Sequence, residues 1–81
     1  MKTTEYFRAT RSRPDRKVIL DAWIERVIRN PVSQAVQRDG RIRKWGLVPE
    51  VGNRALRVVL LGDGETVHNA FFDRSFRGGK P

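Results

Sequence analysis

The sequence predicts an α+β domain in which one main helix packs across one face of an antiparallel meander β-sheet. Three observations carry that expectation. Apolar residues recur at three- and four-residue spacing between Pro14 and Arg29, the period of an amphipathic helix. Two later stretches, from Ser33 to Val48 and from Ala55 to Arg74, each set β-forming residues on both sides of an Asp-Gly pair, the dipeptide favoured by a type I′ hairpin turn. The short connection between those hairpins leaves a meander as the simplest sheet, with the helix covering its apolar face.

At the amino terminus Thr3 to Ala9 (TTEYFRA) mixes β-branched and aromatic residues in rough alternation and reads as a short first strand. The loop that follows leads into the helix. Ser12 with Asp15 three residues on approximates a capping box and Pro14 suits a first turn; Asp15 as the N-cap is the alternative. Within the helix Leu20, Trp23, Ile24, Val27 and Ile28 form the apolar stripe, widened by Ile19 and Ala22, so Trp23 belongs to the core. Asn30-Pro31 ends it, because the residue before proline is pushed out of the helical region.

In the first hairpin, turning at Asp39-Gly40, alternation puts Arg41, Arg43 and Trp45 on one face and Ile42, Lys44 and Gly46 on the other. An aromatic ring beside two arginines suits base stacking and phosphate contact; Trp45 equally fits a core position at the inner end of its strand. Pro49 to Asn53 forms a turn into the last hairpin. With Asp63 and Gly64 at that turn, Leu61 faces Thr66, Leu60 faces Val67, Val59 faces His68, Val58 faces Asn69 and Leu56 faces Phe71. One face then carries Leu56, Val58, Leu60, Val67 and Phe71, and the other carries Arg57, Val59, His68 and Ala70. A slip of one residue would move the histidine to the opposite set. Asn69 and Asp73 bracket Ala70-Phe71-Phe72 as polar residues suited to satisfying backbone groups at the sheet's end. The domain is expected to span residues 1–76, with 77–81 (RGGKP) a flexible tail.

Composition narrows the chemistry. The chain of 81 residues has no cysteine, which rules out disulfides and thiolate zinc sites, and its single histidine argues against a histidine-based metal centre. Glu5, Glu50, Asp63 and Glu65 lack the clustered spacing of a magnesium or calcium site, and Gly62 and Gly64 are turn glycines without the Gly-Lys-Ser/Thr of a phosphate loop. No metal or cofactor is therefore expected. With no apolar run near the roughly 20 residues of a membrane span and no signal-peptide pattern, a soluble cytoplasmic protein is expected. The net charge is +8, from 17 Lys+Arg against 9 Asp+Glu, and thirteen of the cations are arginine. Arginine's planar fork suits phosphate, so the charge points to a polyanion partner, either nucleic acid or an acidic protein. The candidate nucleic-acid-binding residues are Arg41, Arg43, Lys44, Trp45 and Arg57. Metal-free RNA cleavage needs groups that move protons and cations that steady the phosphate; His68 can take a proton-transfer role, with Arg43 and Arg57 holding the phosphate.

A helix ending in WIERVIRNP, a DGR turn entering a strand, then LRVVLL, GDGETVHNAFFDR and a basic end together resemble a bacterial family of small proteins related to the BrnT toxins, over about Tyr6 to Phe76. That family belongs to the wider group sharing the RelE-like toxin fold. The resemblance implies a compact α+β domain, metal-independent endoribonuclease activity, and neutralisation by a small antitoxin protein encoded alongside. It makes His68 and Arg74 the candidate catalytic residues, since both fall at the basic end of the last strand. Related domains often carry a histidine ahead of the helix, where this chain has only Arg8, Thr10, Arg11 and Arg13, so no catalytic residue is carried over there. Two functions fit: a toxin-like protein that binds and cleaves RNA, and a non-catalytic module for nucleic acid or an acidic protein.

Overall fold

The computed structural model describes residues 1–76, and the tail expected at 77–81 lies outside the described residues. The chain runs through α1 (Glu5–Thr10), α2 (Pro14–Lys17), α3 (Asp21–Arg29), β1 (Ser33–Val36), β2 (Ile42–Val48), a 3-10 turn (Pro49–Val51), β3 (Arg54–Leu60) and β4 (Val67–Phe72). The strands form one antiparallel meander in the order β1-β2-β3-β4, the α+β arrangement expected, although neither Asp-Gly pair makes a type I′ turn, since Gly40 and Gly64 have positive φ but Asp39 and Asp63 do not.

The amino-terminal segment is a helix where a strand was expected. The Thr4 hydroxyl accepts the Phe7 N–H at 3.1 Å, an N-cap that satisfies one orphan donor, and Glu5 in the first turn suits the positive end of the helix dipole. Phe7 and Thr10, one turn apart, are then buried on the same side. Local capping outweighs the β-propensity of Thr, Tyr and Phe, and the only strand-like feature left is a parallel bridge from Thr3 to Val67.

The expected single helix from Pro14 to Arg29 is broken. α2 ends at Lys17, and Leu20 lies in extended backbone as the N-cap of α3. The break turns Ile19 fully into the core and leaves Val18 and Leu20 exposed, whereas a continuous helix would have carried Leu20 on the same stripe as Trp23 and Ile24. Neither expected cap forms: Arg13 is the N-cap of α2, and the Ser12 hydroxyl donates instead to the Ala9 carbonyl. α3 keeps the predicted stripe, with Trp23, Ile24 and Val27 buried against β2 and β3, although Ala22, expected to widen it, is exposed. Full burial of Ile24 and of Leu56 opposite contributes about 2 kcal/mol each. The close approach of α3 to β2 is made possible by Gly46, where a Cβ would stand 2.7 Å from Val27 Cγ2.

The β3–β4 pairing holds the feature that most affects the site. Leu61 bonds Thr66 and Leu60 pairs with Val67 as expected, but Val59 pairs with Asn69, Val58 with Ala70, Arg57 with Phe71 and Leu56 with Phe72. His68 is thus the extra residue of a β-bulge. Below it the faces of β4 exchange relative to the expectation: Ala70 and Phe72 join the core, and Phe71 moves to the face opposite α3. A small Ala70 fits beneath the helices better than Phe71 would, and Phe72 instead meets Trp23 at 6.5 Å between ring centres.

Candidate functional site

The face of the sheet opposite α3 is built in rows set by the register. Trp45, Arg57 and Phe71 lie side by side across β2, β3 and β4, and Arg43, Val59 and Asn69 form the next row. Beyond them the bulge at His68 and the tip of α1 bring a phenol and an imidazole together. Tyr6, Arg41, Arg57, His68, Asn69 and Phe71 line a depression of about 480 Å³. Three of the residues expected from sequence, Arg41, Arg57 and His68, therefore share one concavity.

His68 is held from two sides. Its ring stacks on Tyr6, 4.9 Å between centres and 23° between planes, and Nδ1 lies 3.1 Å from the Thr4 hydroxyl. That hydroxyl accepts the Phe7 N–H and keeps a second lone pair for Nδ1–H, the tautomer that leaves Nε2 bare as the basic nitrogen. Nε2 has no hydrogen-bond partner among the described residues. Burial, helped by the charge of Arg41 and opposed by Asp39, pushes the imidazole below its ordinary pKa. His68 is consequently a neutral, oriented base at neutral pH. Tyr6 and Thr4 were invisible as site residues because their segment reads as a strand; the signal that identifies them is the N-cap Thr4 followed by Glu5.

Arg57 is already engaged. Its Nε and Nη2 donate to Asp73 Oδ2 at 3.0 and 2.8 Å, and Trp45 Nε1 donates to the same oxygen at 3.0 Å. The other oxygen, Oδ1, accepts the Ser75 N–H and hydroxyl. Burial works to raise the Asp73 pKa, but the donors on Ser75, Trp45 and Arg57 outweigh it and hold the carboxyl well below the usual range. Phe76 stacks on Trp45 at 5.4 Å, so Trp45 is buried under the segment that follows β4 and presents no free ring face of the kind a stacking platform needs. Asp73 thus organises side chains, beyond the backbone role its position suggested. Asn69 does serve the backbone: its Oδ1 accepts the Ala70 N–H, and also Arg16 Nη1 at 2.6 Å.

The remaining expected residues fall in three places. Arg43 stands in the second row with its Nε buried and without a hydrogen-bond partner among the described residues, an arrangement that costs about 1–3 kcal/mol. Lys44 is on the opposite face, donating to the Ile28 carbonyl at the end of α3. Arg74 lies beyond the end of β4 in clefts that His68 does not line, so the two candidate catalytic residues are not brought together. No group of three or more His, Cys, Asp or Glu among the described residues is arranged to hold a metal ion, and no helix there is long and apolar enough to cross a membrane.

Fold and site define a class: a small α+β domain whose helices cover one face of a meander sheet and whose other face offers arginine, aromatic and imidazole groups. Comparison with protein families, curated proteins and solved structures returns no match to this chain.

Proposed function

We propose that this protein is a toxin-like RNA-binding protein that cleaves RNA without a metal ion and is held in check by a small antitoxin protein. The observation that carries the proposal is the convergence of Arg41, Arg57 and His68 on one depression of the open sheet face. The resemblance to BrnT-related toxins and the +8 charge support it. His68, neutral at working pH, takes the proton from a ribose 2′-hydroxyl as that oxygen attacks the adjacent phosphorus. The bond to the 5′-oxygen breaks, leaving a cyclic phosphate, and Tyr6 is the titratable group placed to protonate the departing oxygen. Arg41 carries most of the charge that builds on phosphorus, because Arg57 shares its charge with Asp73.

The test is end-labelled RNA incubated with the protein and a chelator, beside His68→Ala. Loss of cleavage in a folded variant is expected; equal cleavage by the variant would remove His68 from the mechanism. A second function, RNA binding without cleavage, is favoured by one observation: Arg74 stands apart from His68. In that case both proteins bind at low salt, the affinity falls steeply as salt rises, and neither cuts naked RNA or ribosome-bound RNA.

A further inference from the structure

We propose that the cleft at the end of β4 is a second phosphate-binding subsite, which takes the sugar–phosphate backbone of the same RNA strand as it passes over the β4 edge from the His68 depression. This deepens, and rests on, the RNA-binding function above. The cleft has a volume of about 270 Å³ and is lined by Asp15, Arg16, Arg54, Phe71, Phe72 and Arg74. Three guanidinium groups from three parts of the chain thus face one carboxylate, and Asp15 is already taken by Arg16 Nε at 3.2 Å.

Arg54 and Arg74 are the core of the site. Asp73 N–H donates to the Ala55 carbonyl at 2.8 Å, which carries the β3–β4 ladder one step past the Leu56–Phe72 pair. Past that bond the chain turns at Arg74, which lines the same cleft as Arg54. Like charges gathered in one cleft repel, and neither arginine has an acidic partner among the described residues. An anion between them removes that repulsion. Arg54 is held ready for one by the Phe72 ring, 4.1 Å from its guanidinium carbon, and its N–H donors make no hydrogen bond among the described residues, whereas Arg16 is occupied by Asp15, Asn69 and Ala70.

Continuity selects a nucleic-acid strand over a free phosphate. Phe71 lines both this cleft and the His68 depression. His68 and Arg74 are six residues apart, with the bulge at one end and the turn after Phe72 at the other, so the two sites lie no more than about 20 Å apart and one strand of several nucleotides reaches both.

The experiment measures binding of single-stranded RNAs of about 4 and about 12 nucleotides at several salt concentrations. It uses the wild type, Arg54→Gln/Arg74→Gln and Arg41→Gln. The wild type is expected to prefer the longer RNA by about tenfold or more, and the double variant to lose most of that preference, its salt slope becoming shallower by about 1. A double variant with the wild-type length preference and salt slope overturns the subsite. In that event weakened binding by Arg41→Gln leaves the RNA-binding function standing, whereas absence of any RNA binding by the wild type overturns both. Polyglutamate binding that depends on Arg54 and Arg74 while RNA does not bind assigns the cleft to an acidic peptide and likewise overturns the proposal. The double variant should melt no lower than the wild type, since it loses two like charges that share one cleft; a lower melting temperature contradicts the repulsion.

Discussion

Replacing Asp73 with alanine should lower stability while raising RNA affinity. The Asp73 side chain is 7% exposed and that of Arg57 23%, so the ion pair is mostly withdrawn from water. Removing one partner of a buried pair typically costs about 3–5 kcal/mol, because the other charge is left uncompensated. Arg57 keeps some access to water, which places the expected loss near the lower bound, about 3 kcal/mol, with the Trp45 N–H also left without its acceptor. A chain of this length is stabilised by about 4–12 kcal/mol in total, so the melting temperature should fall by about 12–24 °C. Urea unfolding followed by tryptophan fluorescence measures the loss directly. Its pH dependence tests the cause. Asp73 has a folded pKa below its unfolded value, so its contribution is complete above the ordinary carboxylate range and is lost as pH falls below about 4. The gap between wild type and variant should therefore narrow on acidification. A gap below about 1 kcal/mol at pH 7 would mark a solvated surface pair, and a gap unchanged at pH 3 would show that charge is not its origin. The released Arg57 guanidinium, now free to face phosphate, should tighten RNA binding in the same variant.

Gly46→Ala is expected to cost about 1–3 kcal/mol, because its new methyl group overlaps Val27 Cγ2. In a Val27→Ala background that cost should largely vanish, and a double-mutant cycle showing simple additivity would contradict the steric account. The His68 ring should titrate below 6.5 by NMR, and any cleavage rate should rise with pH through that lowered value and then level off. Because the folded state resists protonation at His68, stability from this group is present above the unfolded pKa and declines as pH falls through the folded one. A midpoint at or above 6.5 would mean that burial and Arg41 do not govern the ring.

The parts of the fold legible in the sequence are those fixed by strong local signals. Two Asp-Gly turns set the four strands, and the three- and four-residue spacing of Trp23, Ile24 and Val27 set α3. Alternation also put Arg41, Arg43, Trp45 and Arg57 on one sheet face, and placed Lys44 on the other even though its neighbours suggest a shared basic patch. What stayed hidden depends on small energetic balances. One hydroxyl on Thr4 decides helix against strand at the amino terminus. The break at Val18–Leu20 follows from which of three consecutive apolar side chains the core accepts, and no periodicity reports that. The Trp45–Asp73–Arg57 cluster joins residues 28 and 16 positions apart, a connection that only the folded sheet makes.

The bulge at His68 makes this histidine a supernumerary residue. Without it, Val67 would be followed directly by Asn69, and the inward–outward alternation of Val67, Asn69, Ala70, Phe71 and Phe72 would be regular against Leu60, Val59, Val58, Arg57 and Leu56. Every other pairing in the ladder is indifferent to its presence. The chain could therefore lose the whole residue, backbone included, and keep the same interior. A group that the architecture does not require, yet that is stacked, hydrogen-bonded and aimed into a depression, marks a position where the demands of folding and of chemistry separate.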